Sequence, residues 1–191
     1  MLASEENIRV VAEAIRKYKI KRVVVDPVCS VSPLRMQPYW EAGLQCADIS
    51  IQVMISTSNH QLLPDFAISA YIQQLLPLSY ILTPNIPEAL RLLSLPVTHK
   101  LRNLQEVVSL AKQIHALGPK YVLLKGGHLP YKKIARRPEG GEEYEYIAAE
   151  HDSEHCSVVD IIYNGTQAIL IENNWINTKC THGTGCSLSC S

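Results

Sequence analysis

Apolar side chains recur every three or four residues in four parts of this chain, which is the spacing of an amphipathic helix. The first part follows Ser4, a residue type that caps helix N-termini, and predicts a helix over about residues 5–18. The apolar face of this helix comprises Ile8, Val11, Ile15 and Tyr18. The same reasoning predicts further helices that begin at Asp65, Asn85 and Asn103.

Short continuous apolar runs, typical of buried strands, lie between the predicted helices. They occupy residues 23–25, 80–83, 121–124, 158–163 and 168–171. Because helices and strands alternate with short links, the pattern predicts an α/β fold with a mostly parallel sheet and helices on both faces. The last two runs flank Asn164 and Gly165, which predicts a hairpin there.

Two segments break this alternation. Residues 29–52 have no clear period, so no element is predicted for them. Residues 130–156 are charged and contain glycines, which predicts a solvated loop or flap.

Composition indicates in which cellular compartment the protein resides and which classes of binding partner it has. The 191 residues have a formal net charge of zero, so the charge does not favour nucleic acid or an acidic membrane surface as a binding partner. No apolar run approaches the roughly 20 residues that a membrane span needs. The cysteines are irregularly spaced and form no C-x-x-C pair, which is typical of a reduced, cytoplasmic protein.

Polar clusters follow three of the predicted strands. Asp26 ends the first strand, residues 83–88 follow the second, and residues 125–128 (K-G-G-H) follow the third. Ligands of open α/β sheets bind beyond the carboxyl ends of the strands. Three polar clusters at one rim therefore indicate a binding site.

The acidic residues of these clusters have two interpretations. Glu88 follows Asn85 by three residues, which is the pattern of a capping box. The spacing alone favours this capping role. Together with Asp26, Glu88 could instead hold Mg²⁺ through water, which suits phosphoryl transfer. Asn103 and Glu106 repeat the spacing and are predicted only to cap a helix.

Lys125 and the glycine-rich stretch at residues 181–186 (T-H-G-T-G-C) are candidate phosphate-binding elements. Lys125 is either a surface lysine that lies along apolar neighbours or a cation that reaches a nucleotide phosphate. A glycine-rich turn that leads into a helix directs several backbone N–H groups at one point, which suits a phosphate or an oxyanion. Cys186 would then stand where a base meets the group that is phosphorylated.

Histidines and cysteines near the C-terminus suggest zinc as an alternative. Their spacings, H-x3-H-C and C-x-H-x3-C, do not match a standard structural zinc site, so we regard zinc as a minor hypothesis. The residues concerned are His151, His155, Cys156, Cys180, His182 and Cys186.

In this order the clusters resemble the hydroxymethylpyrimidine/phosphomethylpyrimidine kinases of thiamine biosynthesis, within the ribokinase-like superfamily. The motifs T-P-N-x-P-E-A, K-G-G-H and T-H-G-T-G-C carry the resemblance. Matching stretches are residues 1–2, 23–28, 56–64, 76–90, 123–129, 159–165 and 177–189. The resemblance implies a three-layer ribokinase-like fold.

The family transfers the γ-phosphoryl group of ATP to a hydroxymethylpyrimidine and then to its monophosphate, and this implies a role for each matching residue. Gly183, Thr184 and Gly185 would form the anion hole, with Cys186 as catalytic base. Lys125 and Thr181 would bind ATP, and Asp26 and Glu88 would organise Mg²⁺. Met1 and Val28 would line the pyrimidine pocket.

The resemblance also implies a small-molecule substrate, excludes nucleic acid and membrane as partners, and leaves a homodimer open. A cysteine at position 186, where most ribokinase relatives carry aspartate, points to the pyrimidine branch. The rival interpretations are a pyridoxal kinase-like enzyme, a non-catalytic nucleotide-binding remnant and a zinc-binding module.

The match is incomplete at both ends, so we expect residues 1–191 to form a partial domain of this family. The family's opening section has no counterpart before Met1, and the helices after the anion hole are absent. Deleting residues 28–52 restores the family sequence Asp-Pro-Val-Met in frame, with Val53 and Met54 following Pro27. We therefore hypothesise that residues 28–52 are a foreign insertion, a translated intron.

Overall fold

Most of the predicted elements are present in the computed structural model, which describes residues 4–27, 48–52, 56–57, 60–61, 65–96, 98–126, 130–136, 143–148 and 156–175. These residues belong to two compact units. The first unit lies within residues 4–83 and 117–120, and the second within residues 84–116 and 121–175. Of the helices in the described ranges, none has the length and apolar character needed to cross a membrane.

The first unit opens with helix α1 (Glu5–Lys17), as the apolar spacing predicts. The Ser4 hydroxyl oxygen accepts a hydrogen bond from the Asn7 N–H at 3.3 Å, so the predicted N-cap is confirmed. Ile8 and Ile15 are buried on the inner face. The predicted place of Tyr18 on that face is wrong, because Tyr18 follows the last helical residue and 69% of it is exposed.

Two strands of the first unit pair in parallel with a central strand, β1 (Arg22–Asp26). Strand β2 (Asp48–Gln52) pairs with β1 over all five residues. After a short hairpin of β3 (Ser56–Thr57) and β4 (His60–Gln61), β5 (Ile81–Leu82) pairs with the other edge of β1. Strand β2 thus belongs to the segment that we hypothesise to be foreign, and its origin stays a prediction.

The helix predicted to begin at Asp65 is present and changes its winding along its length. It starts as α2 (Asp65–Ala70), continues as a π-helical turn (Tyr71–Leu75) and ends as a 3₁₀ turn (Leu76–Leu78). Pro77 lies in the 3₁₀ turn, and a proline, which has no N–H to donate, is typical of the irregular part of a helix. The buried side chains of this helical segment include Tyr71, Leu75 and Leu76.

The helices of the second unit begin where their caps predict. They are α3 (Ile86–Leu92) after Asn85 and α4 (Leu104–His115) after Asn103. Helix α4 packs its apolar face against strand β6 (Tyr121–Leu124), and that face comprises Val107, Leu110, Ala111 and Ile114. The alternation of helices and strands confirms the predicted α/β class.

The segment predicted as a solvated loop, residues 130–156, contains two strands instead. They are β7 (Tyr131–Arg136) and β8 (Glu143–Ala148), which pair antiparallel over six residues. Residues 137–142 and 149–155 lie outside the residues that the structure describes. The prediction of an irregular loop is therefore wrong for these strands, because charged residues alternate or mix with Tyr, Ile and Ala and the two backbones pair over six residues.

The predicted C-terminal hairpin is confirmed as β9 (Ser157–Tyr163) and β10 (Ala168–Asn174). The Asn164 side-chain oxygen accepts hydrogen bonds from the Thr166 and Gln167 N–H groups at 3.0 and 2.8 Å. Gly165 has a φ of +95°, a conformation that favours glycine. Strand β9 also runs antiparallel to β6, so the second unit has antiparallel pairings beside its helices.

Tyr131 at the start of β7 gives a prediction for alkaline pH. Its ring is fully buried, and burial, followed by the nearby negative charge of Glu106, raises the pKa of its phenol far above the usual value of about 10. The unfolded chain therefore releases this proton first, so the stability that Tyr131 contributes is present below about pH 10 and falls as pH rises further.

We expect Tyr131→Phe to flatten the loss of stability between about pH 10 and 11.5. At pH 7 the change should be within about 1 kcal/mol, because the phenolic oxygen has no hydrogen-bond partner within the described part of the chain. Urea unfolding at several pH values measures both quantities. An equally steep alkaline loss in the variant would contradict the prediction.

Candidate active site

Asp26 occupies the carboxyl end of β1, where the sequence analysis predicts a ligand site. Its carboxylate is only 1% exposed, and the Thr83 hydroxyl donates to its Oδ1 at 2.9 Å. Thr83 follows β5 directly, and its own N–H donates to the Val25 carbonyl at 3.0 Å. The parallel pairing of β1 and β5 thus brings a buried carboxylate and a hydroxyl together. Sequence reasoning did not assign a role to Thr83.

Asn85 and Glu88 form the capping box that their spacing favours. The Glu88 N–H donates to Asn85 Oδ1 at 2.8 Å, and the Asn85 N–H donates to Glu88 Oε2 at 2.8 Å. A third bond runs from Asn85 Nδ2 to Glu88 Oε1 at 2.9 Å. Both oxygens of this carboxylate, which is 2% exposed, therefore accept hydrogen bonds from one residue. Glu88 stabilises the start of α3 whatever else it does.

Lys125 is held at the backbone beside this capping box. Its N–H donates to the Pro84 carbonyl at 2.8 Å, and Asn85 and Lys125 form a parallel β-bridge. The next N–H, that of Gly126, donates to Asp160 Oδ1 on β9 at 2.7 Å. Pro84 and Asn85 of the T-P-N motif are therefore adjacent to Lys125 of the K-G-G motif within the second unit, although Asn85 and Lys125 are 40 residues apart in the sequence (125 − 85).

Asp26 in the first unit and Glu88 in the second each carry a carboxylate, which suits the Mg²⁺ that the resemblance implies, and their joint role stays a prediction. Carboxylate oxygens are the ligand type that Mg²⁺ prefers, and this ion usually keeps several waters. Each carboxylate already accepts hydrogen bonds from a neighbouring side chain or backbone group. Within the described ranges, no group of three or more His, Cys, Asp or Glu side chains could hold a metal directly.

The remaining predicted site residues lie outside the residues that the structure describes. They are Met1, Val28, Thr181, Gly183, Thr184, Gly185 and Cys186. Their roles stay predictions. Of the residues considered for zinc, the structure describes Cys156, whose side chain is buried.

The family and the fold follow from comparisons with known proteins. The sequence profile of phosphomethylpyrimidine kinase matches residues 49–191. A putative hydroxymethylpyrimidine/phosphomethylpyrimidine kinase 2 of Schizosaccharomyces pombe is 32% identical over 99% of this chain and 28% of its own length. The chain thus spans under a third of that relative.

Two solved structures have the same fold. Pyridoxal kinase of Bacillus subtilis, determined as an ADP complex, is 27% identical with a TM-score of 0.63 over 99% of this chain and 52% of its own. Phosphomethylpyrimidine kinase of Clostridium difficile is 31% identical with a TM-score of 0.53 over 89% of this chain and 50% of its own. The chain therefore belongs to the phosphomethylpyrimidine kinase family and has the ribokinase-like α/β fold that its motifs predict.

Proposed function

We propose that this chain carries the ATP-binding residues of a kinase that phosphorylates hydroxymethylpyrimidine and its monophosphate in thiamine biosynthesis. The observation that supports the proposal best is the hydrogen bond between the Lys125 N–H and the Pro84 carbonyl. This bond places the lysine of the K-G-G motif beside the T-P-N motif, and both motifs are those by which the chain resembles the family.

In the proposed reaction the substrate hydroxyl oxygen attacks the γ-phosphorus of ATP, and ADP leaves. The hydroxyl proton passes to the Cys186 thiolate, whose formation is favoured at a helix N-terminus or near cations. Lys125 and Thr181 bind the phosphates, while the N–H groups of Gly183, Thr184 and Gly185 accommodate the negative charge. Met1 and Val28 contact the pyrimidine.

Asp26 and Glu88 would hold Mg²⁺ through its waters. When bound, that ion neutralises charge on the phosphates and fixes their orientation, which supplies most of the catalysis in phosphoryl transfer. The Thr83 hydroxyl keeps the Asp26 carboxylate in one orientation at the end of β1. A homodimer and a cytoplasmic location stay predictions.

Pyridoxal phosphorylation is the second candidate, because the chain is 29% identical to a pyridoxine kinase of Bacillus subtilis over 99% of its length. The cysteine at position 186 favours the pyrimidine. Competition between hydroxymethylpyrimidine and pyridoxal for the same phosphoryl transfer distinguishes the two substrates.

Titration of the 191-residue chain with ATP and Mg²⁺ tests the proposal. We expect saturable binding that Lys125→Ala weakens about tenfold to a hundredfold, because a charge-assisted contact to phosphate contributes roughly 1.5–3 kcal/mol. Lys132→Ala removes an exposed lysine of the same unit and should leave the affinity unchanged. A coupled assay with hydroxymethylpyrimidine then measures turnover.

Two results would overturn the proposal in different ways. Absence of ATP binding by the unaltered chain indicates a non-catalytic remnant. ATP binding that Lys125→Ala and Lys132→Ala weaken equally would remove the specific role of Lys125.

A further inference from the structure

A carboxylate interrupts the apolar run of β9 where this strand passes the end of β6. The two strands pair antiparallel from Val122 and Tyr163 to Leu124 and Ile161. The next residue of β9 is Asp160, which is half-buried, and its Oδ1 accepts the Gly126 N–H at 2.7 Å. The pairing of β6 with β9 therefore gives way here to a bond between backbone and side chain.

Gly126 is also fixed by a close approach to the backbone of β9. A Cβ added to Gly126 would lie 2.0 Å from the Val159 carbonyl oxygen, a distance that side-chain carbons do not adopt. Adjacent residues of β9 thus contact Gly126 in two ways. The Val159 carbonyl excludes a side chain, and the Asp160 carboxylate binds the N–H.

Two successive N–H groups of this segment are directed to different neighbours. Lys125 donates to the Pro84 carbonyl at 2.8 Å, and Gly126 donates to Asp160. The Lys125 N–H belongs to the peptide unit before Lys125 and the Gly126 N–H to the unit after it, so the two bonds orient two successive peptide units. The orientation of the peptide unit between Lys125 and Gly126 therefore depends on Asp160.

We propose that Asp160 is a positioning residue for nucleotide binding, acting through the Gly126 N–H on the K-G-G segment that carries Lys125. This inference rests on the proposed function, because it assumes that Lys125 binds ATP. A carboxylate in an otherwise apolar strand is unfavourable unless it is well bonded. Its short, charge-assisted bond to Gly126 is stronger than a bond between neutral groups and holds the segment in one geometry.

Replacing the Asp160 carboxylate tests this role with two independent readouts. Titration gives the Kd for ATP, and amide hydrogen exchange by NMR reports the Gly126 N–H directly. We expect Asp160→Ala to raise the Kd and to accelerate the exchange, each about tenfold, as expected when a bond to a charged acceptor is lost. Asp160→Asn keeps an acceptor oxygen of lower charge, so both changes should be about threefold.

Ser157→Ala is the matched control on the same strand. It removes the 2.7 Å bond from the Ser157 hydroxyl to Glu172, which does not involve the K-G-G segment. We expect the Kd for ATP and the Gly126 exchange rate of this variant to stay within twofold of the unaltered chain.

A purely structural role predicts a different result. Faster Gly126 exchange with an unchanged Kd for ATP in the Asp160 variants would overturn the inference and leave the proposed function intact. If Asp160→Ala does not fold, Asp160→Asn is compared with the unaltered chain instead. The Kd for ATP and the Gly126 exchange rate of that variant then test the inference. Failure of the unaltered chain to bind ATP overturns the proposed function itself, so the two failures are distinguishable.

Discussion

Replacing Gly126 by alanine is expected to lower the free energy of unfolding by about 3 kcal/mol or more, the upper range for overpacked sites. The new Cβ would lie 2.0 Å from the Val159 carbonyl oxygen and 2.8 Å from its carbon, so the backbone of β6 or β9 must move. Such a movement also lengthens the Gly126–Asp160 hydrogen bond. Urea unfolding of the variant and the unaltered chain measures the loss.

Gly165→Ala is the matched control, since Gly165 belongs to the same unit and has a φ of +95°. Its new Cβ would meet the ring of His115 at 3.0 Å, and a side chain moves more easily than a strand. We expect a loss of about 1 kcal/mol from the unfavourable backbone conformation. A smaller loss for Gly126→Ala than for Gly165→Ala would contradict the close approach between Gly126 and β9.

The features that sequence reasoning predicts well are local hydrogen bonds. The caps at Ser4, Asn85 and Asn103 each involve a donor three residues further along the chain. Such bonds depend on residue type and spacing alone, and both are visible in a sequence. The same holds for the turn at Asn164, whose side chain binds the next few N–H groups.

The sequence predicts polar clusters at the carboxyl ends of the strands, but not the individual long-range hydrogen bonds that build the candidate site. Thr83 and Asp26 are 57 residues apart, and Gly126 and Asp160 are 34 residues apart. Whether such residues meet depends on which strands are neighbours and in which register. A signal was present for Asp160, because an aspartate within the apolar run V-V-D-I-I-Y is unusual for a buried strand.

The hairpin of β7 and β8 was missed for a different reason. Its sequence is charged, so composition indicates a solvated loop, yet residues 143–146 (E-Y-E-Y) alternate with the period of a strand. The backbone register pairs residue 136 with residue 143. If the alternation of residues 143–146 is given more weight than the charged composition, the sequence predicts a strand here.

Glu88→Ala is expected to lower the free energy of unfolding by about 3 kcal/mol, because the buried carboxylate accepts two hydrogen bonds that each contribute roughly 1–2 kcal/mol. Both donors, the N–H and Nδ2 of Asn85, would lose this acceptor at the start of α3. Chemical unfolding of the two proteins measures the difference. The magnitude tests whether the capping box is a principal stabilising contact of the second unit.

Glu106→Ala provides a control of equal sequence spacing at the start of α4. Glu106 accepts an exposed hydrogen bond from the Arg102 N–H rather than completing a box with Asn103, so we expect a loss of only about 0.5–1 kcal/mol.

A second substitution, Glu88→Gln, separates the role of Glu88 in capping from a role in metal binding. It keeps one acceptor oxygen for Asn85 but removes the negative charge that attracts Mg²⁺. If Glu88 acts only as a cap, Glu88→Gln will leave the Mg²⁺ dependence of ATP binding unchanged; if it also orders the waters of the metal, more Mg²⁺ will be needed for half-maximal binding.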